Sequence, residues 1–173
     1  MTNLYIKQKV WSIKDRFTVY DESENVLYTA ESKAISVSKQ FWLKDSNDNV
    51  LRYINAKIWS LLPKFFVHAY EGGDILATIN QEWSFLHKRF TVAEYDWHVE
   101  GNFLDHEYVI RKGDPKTGPE VASVSKRWFT WGDTYEISIA DEKDIPDVLC
   151  AVLVIDYVIS LAASSVHVSS SSH

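Results

Sequence analysis

The segment between Asp144 and Ala162 constrains the fold of this chain more than any other part of the sequence. It contains no Gly, and its residues from Val148 to Ile155 are all apolar. Pro146 is tolerated only in the first turn of a helix. The same end is rich in carboxylates, which a helix dipole favours there: Asp141, Glu142, Asp144 and Asp147. The segment therefore predicts one helix over residues 144–162 that is apolar on all sides, and such a helix lies in a large core or spans a membrane.

A core helix fits this segment better than a membrane span or a pair of strands. Spanning a bilayer takes about 20 apolar residues, so the length is borderline. Asp156 lies within the segment, where a charge costs roughly 3 kcal/mol on insertion scales. The many Val and Ile residues would also suit two strands, but no Gly, Asn or Pro turn divides the run. We therefore predict a core helix in a protein that is not transmembrane.

Short strands are predicted for nearly all of the chain before this helix. Segments such as Leu4–Val10 alternate apolar and polar residues, and turns such as Gly72-Gly73 separate them. About twelve strands fit between residues 4 and 140. The 173 residues suit a single domain over 1–163. The Ser-rich residues 164–173 are expected to form a flexible tail.

Internal repeats indicate how these strands are organised. The pattern of Trp11-Ser followed by Arg16-Phe-Thr-Val returns as Trp83-Ser followed by Arg89-Phe-Thr-Val, and Ser36-Val-Ser-Lys returns as Ser123-Val-Ser-Lys. Repeated strand–turn–strand units of this kind predict a duplicated meander. About twelve strands would close into an antiparallel β-barrel, which removes exposed edges. A barrel of that size is too wide to be filled by its own side chains, so we expect the apolar C-terminal helix to occupy its lumen.

Four stretches carry a specific combination of residues: the Arg-Phe-Thr-Val-Tyr beginning at Arg16, the stretch Ser123–Ile137 with Trp-Phe-Thr-Trp-Gly-Asp-Thr-Tyr, the stretch Val99–Phe103, and Ile155-Asp156 of the helix. Together they resemble the LURP-one-related family, part of the tubby C-terminal-like superfamily. The resemblance runs from about Tyr5 to Leu161 and implies a tubby-like, twelve-stranded barrel around a hydrophobic C-terminal helix. Tubby relatives bind phosphoinositide headgroups through basic residues on the barrel surface. Those residues have no one-to-one match here, so the resemblance alone does not transfer that function.

The sequence carries no motif of a known catalytic or metal site. It has no GxGxxG, GxxxxGK[ST] or GxSxG pattern, and its six histidines lack metal-ligand spacing. The segment Asp45–Asn49 resembles the start of a calcium loop, but Val50 and Ala56 stand where such a loop needs Gly and Glu. Cys150 is best interpreted as a small apolar core residue. We predict a protein that is not an enzyme and has no cofactor and no metal.

The overall composition indicates where the protein is located and which classes of partner it can bind. The net charge of −6 argues against nucleic acid as a partner. A single cysteine excludes an intramolecular disulfide framework, and the N-terminus lacks a signal-peptide pattern. Both features are typical of a cytoplasmic protein.

Four residues are candidates for binding a ligand: Lys39, Lys126, Arg127 and Asp156. Lys39 and Lys126 occupy matching repeat positions, and repeat symmetry can gather such residues at one rim of a barrel. Together with exposed Trp side chains (Trp42, Trp128 or Trp131), basic residues would suit an anionic lipid headgroup or a phosphorylated partner. The alternative is that these residues are ordinary solvated strand residues. For the buried Asp156, the alternative is a structural pair with a strand Arg or Lys, or with backbone N–H groups.

The preferred functional hypothesis is a non-catalytic binding or regulatory module, with an anionic lipid headgroup as the candidate ligand. The second hypothesis is a protein–protein interaction module that uses a surface patch of aromatic and basic residues. A membrane-associated, scramblase-like protein and an uncharacterised enzyme are the remaining alternatives, which Asp156 and the missing motifs disfavour.

Overall fold

Twelve antiparallel strands form a closed barrel in the computed structural model, which describes residues 1–7, 17–35, 38–57, 62–83, 88–129 and 132–169. Each strand pairs with its neighbours in the chain, and β1 pairs with β12 to close the cylinder. The strands are β1 (Thr2–Lys7), β2 (Phe17–Tyr20), β3 (Val26–Ile35), β4 (Ser38–Asp45), β5 (Val50–Lys57), β6 (Lys64–His68), β7 (Ile75–Trp83), β8 (Lys88–Val92), β9 (Trp97–Asn102), β10 (Glu107–Lys112), β11 (Glu120–Phe129) and β12 (Gly132–Ile139).

One long helix, α1 (Ile145–Ser169), follows the barrel, after a 3₁₀ turn at Glu142–Asp144. The helix begins where β12 ends, and we call this end of the barrel the entry rim. The opposite end, where the even-numbered strands begin, is the exit rim. Because every strand is antiparallel to its neighbours, each strand runs from one rim to the other.

The helix fills the lumen, as the sequence predicts. All eight residues from Val148 to Ile155 are 0% exposed. They pack against inward strand residues such as Phe41, Leu43 and Ile137. The predicted start of the helix agrees with the structure, whereas its end lies further along the chain, at Ser169 rather than residue 162.

By length and composition alone, the segment Glu142–Ala162 could cross a membrane. However, 61% of its most apolar part is buried inside the barrel. Burial of this kind is expected of a core helix, so the architecture is consistent with a soluble protein.

The same kind of turn occurs twice at the entry rim, once after β2 and once after β4. Asp21 accepts hydrogen bonds from the backbone N–H groups of Ser23 and Asn25 and from the Asn25 amide. Asp45 accepts the same three bonds from Asn47 and Asn49. Of the residues that define the predicted repeat, Trp11, Arg16 and Ser36 lie outside the described part of the chain.

Three hairpins at the entry rim, β2–β3, β4–β5 and β6–β7, each contain a bulge after the turn that directs one apolar residue outward. The pairing register shifts in the same way in three hairpins, where Val26 faces Tyr20, Val50 faces Lys44, and Ile75 faces His68. These three apolar residues are 43%, 41% and 50% exposed. The bulges therefore place a row of exposed aliphatic side chains along the entry rim of β3, β5 and β7.

Candidate binding surfaces and a buried polar cluster

Asp156 lies in a buried polar cluster near the exit rim. The Tyr135 hydroxyl donates a hydrogen bond to Asp156 Oδ2, and His106 Nδ1 lies 3.5 Å from Asp156 Oδ1. The His106 ring stacks on the Tyr135 ring with centroids 4.5 Å apart. Tyr108 completes the cluster, and its hydroxyl has no hydrogen-bond partner among the described residues. Asp156 therefore accepts a hydrogen bond from a tyrosine and lies beside a histidine, instead of pairing with the strand cation or backbone amides expected from the sequence.

Backbone geometry places these side chains around the helix. His106 adopts a left-handed conformation with φ 53° in the turn between β9 and β10. Gly101 lies opposite Tyr108 in the β9–β10 ladder with φ 148°, and a Cβ there would stand 2.3 Å from the Glu107 carbonyl oxygen. The close approach of the two strands therefore requires a glycine at this position.

The electrostatics of the cluster favour uncharged tyrosines. Burial raises the pKa of Tyr108 and of Tyr135 well above the usual value, and the Asp156 carboxylate raises both further. A neutral Tyr135 hydroxyl is a hydrogen-bond donor. The cluster can hold Asp156 in place, but it has no activated nucleophile.

A second carboxylate of the helix is held at the entry rim. Asp147 receives two hydrogen bonds from Arg52 on β5, at 2.7 Å from Nε and 3.0 Å from the second guanidinium nitrogen. Burial, together with Asp147, raises the pKa of Tyr95 to about 12. The bidentate pair fixes the first turn of the helix against the barrel wall.

Lys39 faces the lumen at the exit rim. It shares a face of β4 with the buried Phe41 and Leu43. Its ammonium lies 5.5 Å from the ring centroids of both Phe41 and Tyr157. Burial lowers the pKa of Lys39 because the charged form is partly removed from water.

Lys126 and Arg127 lie on opposite faces of β11. Lys126 is the register partner of the inward-facing Tyr135, so its side chain is on the lumen side. Arg127 faces outward and pairs at 2.7 Å with Glu136, whose side chain is only 5% exposed. The structure therefore brings Lys39, Lys126 and Asp156 to the lumen side near the exit rim and leaves Arg127 outside, in a structural ion pair.

Three further lysines on the outer wall were missed by the sequence analysis. Lys57 on β5 lies directly opposite Lys64 on β6, and the next residue across the sheet is Asn80 on β7. Lys33 on β3 lies opposite Gln40. All three lysines are exposed, and none makes an ion pair within the described part of the chain. We call Lys33, Lys57 and Lys64 the lysine face. Locating it requires the pairing register between neighbouring strands, which the sequence of a single strand does not reveal.

An aromatic row crosses the same wall closer to the entry rim. Trp42, Tyr53 and His68 occupy successive register positions on β4, β5 and β6. The Trp42 and Tyr53 rings are 5.5 Å apart, and the Tyr53 and His68 rings are 5.7 Å apart. Of the three predicted tryptophans, the structure places Trp42 in this row, whereas the side chain of Trp128 and the whole of Trp131 lie outside the described residues.

No group of three or more His, Cys, Asp or Glu side chains within the described ranges could hold a metal ion. Cys150 is fully buried in the helix, and burial raises the pKa of its thiol well above the usual value. A thiol of this kind is a weak nucleophile.

A closed antiparallel barrel plugged by an apolar C-terminal helix defines a tubby-like protein. The profile of the family described as LURP-one-related matches residues 2–156, and the chain belongs to this family. The uncharacterized protein YxjI of Bacillus subtilis (strain 168) is 30% identical over 159 residues, which cover 92% of this chain and 94% of that protein. An X-ray structure of a protein from Arabidopsis thaliana superposes with a TM-score of 0.65 over 91% of each chain; at 13% identity it shows the fold alone.

These comparisons confirm the predicted family and the predicted fold class. LURP-one-related proteins are not a known enzyme family.

Proposed function

We propose that this chain is a non-catalytic binding module that recognises an anionic group through the lysine face, with a lipid headgroup as the candidate ligand. The observation that carries the proposal is the Lys57–Lys64 pair. Like charges directly opposite each other destabilise a sheet. An anion between the two ammonium groups would remove that repulsion and gain two charge-assisted hydrogen bonds.

A neighbouring side chain extends this site along the outer wall. The Asn80 amide can donate to the same anion from β7. Lys39 lies at the same rim on the adjacent β4, but it faces the lumen and is not part of this outer site.

Vesicle sedimentation tests the proposal. Each lysine near an anionic bilayer contributes about 1 kcal/mol, so Lys57→Gln/Lys64→Gln should weaken binding to phosphatidylserine vesicles about thirty-fold. The matched control is Lys112→Gln/Lys116→Gln, which makes the same change in net charge on exposed residues near the entry rim. The control should bind like the wild type, and binding should weaken as salt shortens the Debye length from about 10 Å at 0.1 M.

A soluble inositol phosphate separates the two sources of the anion. Competition by the soluble ester at low concentration would indicate a headgroup site, whereas competition only by other anionic vesicles would indicate a general surface charge. Equal pelleting of all variants, or equal pelleting with neutral phosphatidylcholine vesicles, contradicts the proposal.

The aromatic row favours a second candidate function, in which the wall binds a protein. Aromatic side chains are enriched in the centres of protein interfaces. Trp42 is partly exposed on the outer wall and packs against Tyr53, which is only 6% exposed and accepts a hydrogen bond from Gln40 at 2.7 Å. A partner that binds this row should be released by Trp42→Ala and retained by Lys57→Gln/Lys64→Gln. Retention by both variants would exclude the row.

A further inference from the structure

The entry rim of the same wall carries a surface that is both apolar and acidic. Its apolar part is the row made by the three bulges, with Val26, Val50 and Ile75 between 41% and 50% exposed. Its acidic part comes from exposed carboxylates in the turns beside that row, none of which makes an ion pair in the part of the chain that the structure describes: Glu22, Glu71 and Asp74. We call these six residues the entry face.

The lysine face lies at the opposite ends of the same strands. Val50 begins β5 and Lys57 ends it, while Lys64 begins β6 and Glu71 follows its end. An exposed apolar residue also lies at the exit rim, near the lysine face. Leu161 is 47% exposed and lies four residues after Tyr157, on the helix face that packs against Phe41 and Phe65.

We infer that copies of this chain associate head to tail, with the lysine face of one copy against the entry face of the next. The two faces carry opposite charge. Exposed aliphatic side chains that another copy can cover lie in the entry face and, as Leu161 of the helix, at the rim that carries the lysine face. Because both faces lie on the outer wall that β5 and β6 form, a half turn about the barrel axis combined with a shift along it brings the lysine face of one copy against the entry face of the next. The occupant is therefore a second copy, whose complementary surface is present on the same chain.

Charge also fixes the symmetry of this contact. Two lysine faces repel each other, and so do two entry faces, so a two-fold pairing of identical faces is disfavoured. A contact between two different faces is heterologous, and it continues as an open chain unless rotation closes it into a ring. The association does not require an anionic ligand, although it uses lysines that the proposed function also uses.

Sedimentation velocity of two neutralised variants tests this inference. Lys57→Gln/Lys64→Gln removes two charges of the lysine face, and Glu71→Gln/Asp74→Asn removes two charges of the entry face. All four residues are exposed. Circular dichroism checks that both variants fold. The wild type should form a series of oligomers as its concentration rises. Each variant alone should stay monomeric, and an equal mixture should stop at a 1:1 dimer, because each variant keeps the face that the other has lost.

Salt dependence gives a second readout. The wild-type oligomers should dissociate when NaCl is raised from about 0.05 M to about 0.5 M, since screening shortens the reach of surface charges. A wild type that remains monomeric at low salt overturns the inference without affecting the vesicle result. A dimer that persists in both variants also overturns it, because a symmetric contact elsewhere on the barrel would then be responsible.

Discussion

Asp156 places a carboxyl group in the most apolar part of the molecule, and the residues around it explain how it is accommodated. A buried polar group without a partner costs about 1–3 kcal/mol, whereas a bond to a charged group contributes about 1.5–3 kcal/mol. Tyr135 supplies the donor, and His106 lies on the other carboxylate oxygen. Asp156 is therefore a structural residue of the contact between the helix and the barrel wall.

Removing the Tyr135 donor should destabilise the protein. We expect Tyr135→Phe to lower the free energy of unfolding by about 2 kcal/mol, because Asp156 Oδ2 loses its hydrogen bond. Asp156→Asn should cost a similar amount, and the double variant should cost less than the sum because the two residues are in contact. Urea unfolding measures all three values. Tyr157→Phe is the matched control and should change the free energy by less than about 0.5 kcal/mol; an additive double variant would contradict the pairing.

At the residue scale, sequence reasoning identifies which side chains are unusual but not where they point. Asp156 is conspicuous because it interrupts an apolar segment. Arg127 looks equivalent to Lys126 in the sequence, yet neighbours on a strand face opposite sides, and the structure pairs Arg127 with Glu136. The Lys57–Lys64 pair depends on a register between two strands, which turn and bulge geometry decides.

The contact between Arg52 and Asp147 joins two elements, β5 and the helix. The Asp147 side chain is 11% exposed and that of Arg52 is 21% exposed, so removal of either partner leaves a poorly solvated charge. Arg52→Met should therefore lower the free energy of unfolding by about 3 kcal/mol. Adding Asp147→Asn should restore part of that loss, because the unpaired charge disappears.

Chemical denaturation of the two variants checks this prediction at the level of the element. Arg111→Met removes the cation of a more exposed pair with Glu120 at 3.5 Å and should cost less than about 1 kcal/mol. Equal losses for Arg52→Met and Arg111→Met would mean that the helix does not depend on the Arg52 pair.

The two Asx turns should make stability depend on acid pH. Side-chain and backbone hydrogen bonds from Asn25 hold the pKa of Asp21 below its ordinary value of 3.8, and those from Asn49 do the same for Asp45. A carboxyl group whose pKa is lower in the folded state stabilises the fold above its unfolded pKa. This contribution is lost as the pH falls through the folded value.

Asp21→Ser/Asp45→Ser should therefore lower the melting temperature at pH near 7 and flatten its decrease below pH about 4. Thermal melts at a series of pH values measure both effects. Asp74→Ser is the control, since the Asp74 carboxylate accepts no hydrogen bond in the described ranges. Parallel melting curves for the wild type and the double Ser variant would contradict the role of the turns.

At the scale of elements, the strands and the helix were predictable because their patterns are long and periodic. The two turns at Asp21 and Asp45 follow from the repeated acidic sequence before Asn-Val-Leu. The bulges were not predictable, because Val26 and Val50 look like ordinary first residues of strands, and only the shifted pairing turns them outward.

In the whole molecule, a wide barrel and the helix that fills its lumen depend on each other. The repeats and the apolar segment together were enough to predict this architecture from the sequence. A barrel of about twelve strands is too wide for its own side chains to fill, so another element must occupy its lumen. The distribution of charge between the rims was not predictable. It depends on which charged residues of different strands lie at the same rim, and this follows only from the pairing of all twelve strands.

Truncation should separate the lumen part of the helix from the part beyond it. The eight residues from Val148 to Ile155 are fully buried, and each large apolar side chain contributes about 1.5–3 kcal/mol. The six Val, Leu and Ile side chains among them together contribute about 9–18 kcal/mol, which is as large as the roughly 5–15 kcal/mol that stabilises a typical domain. A chain that ends before Glu142 should therefore fail to fold and should aggregate in size-exclusion chromatography. A chain that ends at Ala162 should keep its melting temperature, because the buried helix side chains that the structure describes end at Val158, and it should be recovered without detergent. A folded barrel without the helix, or recovery of the full chain only in membranes, would show that the helix does not serve as the core of this barrel.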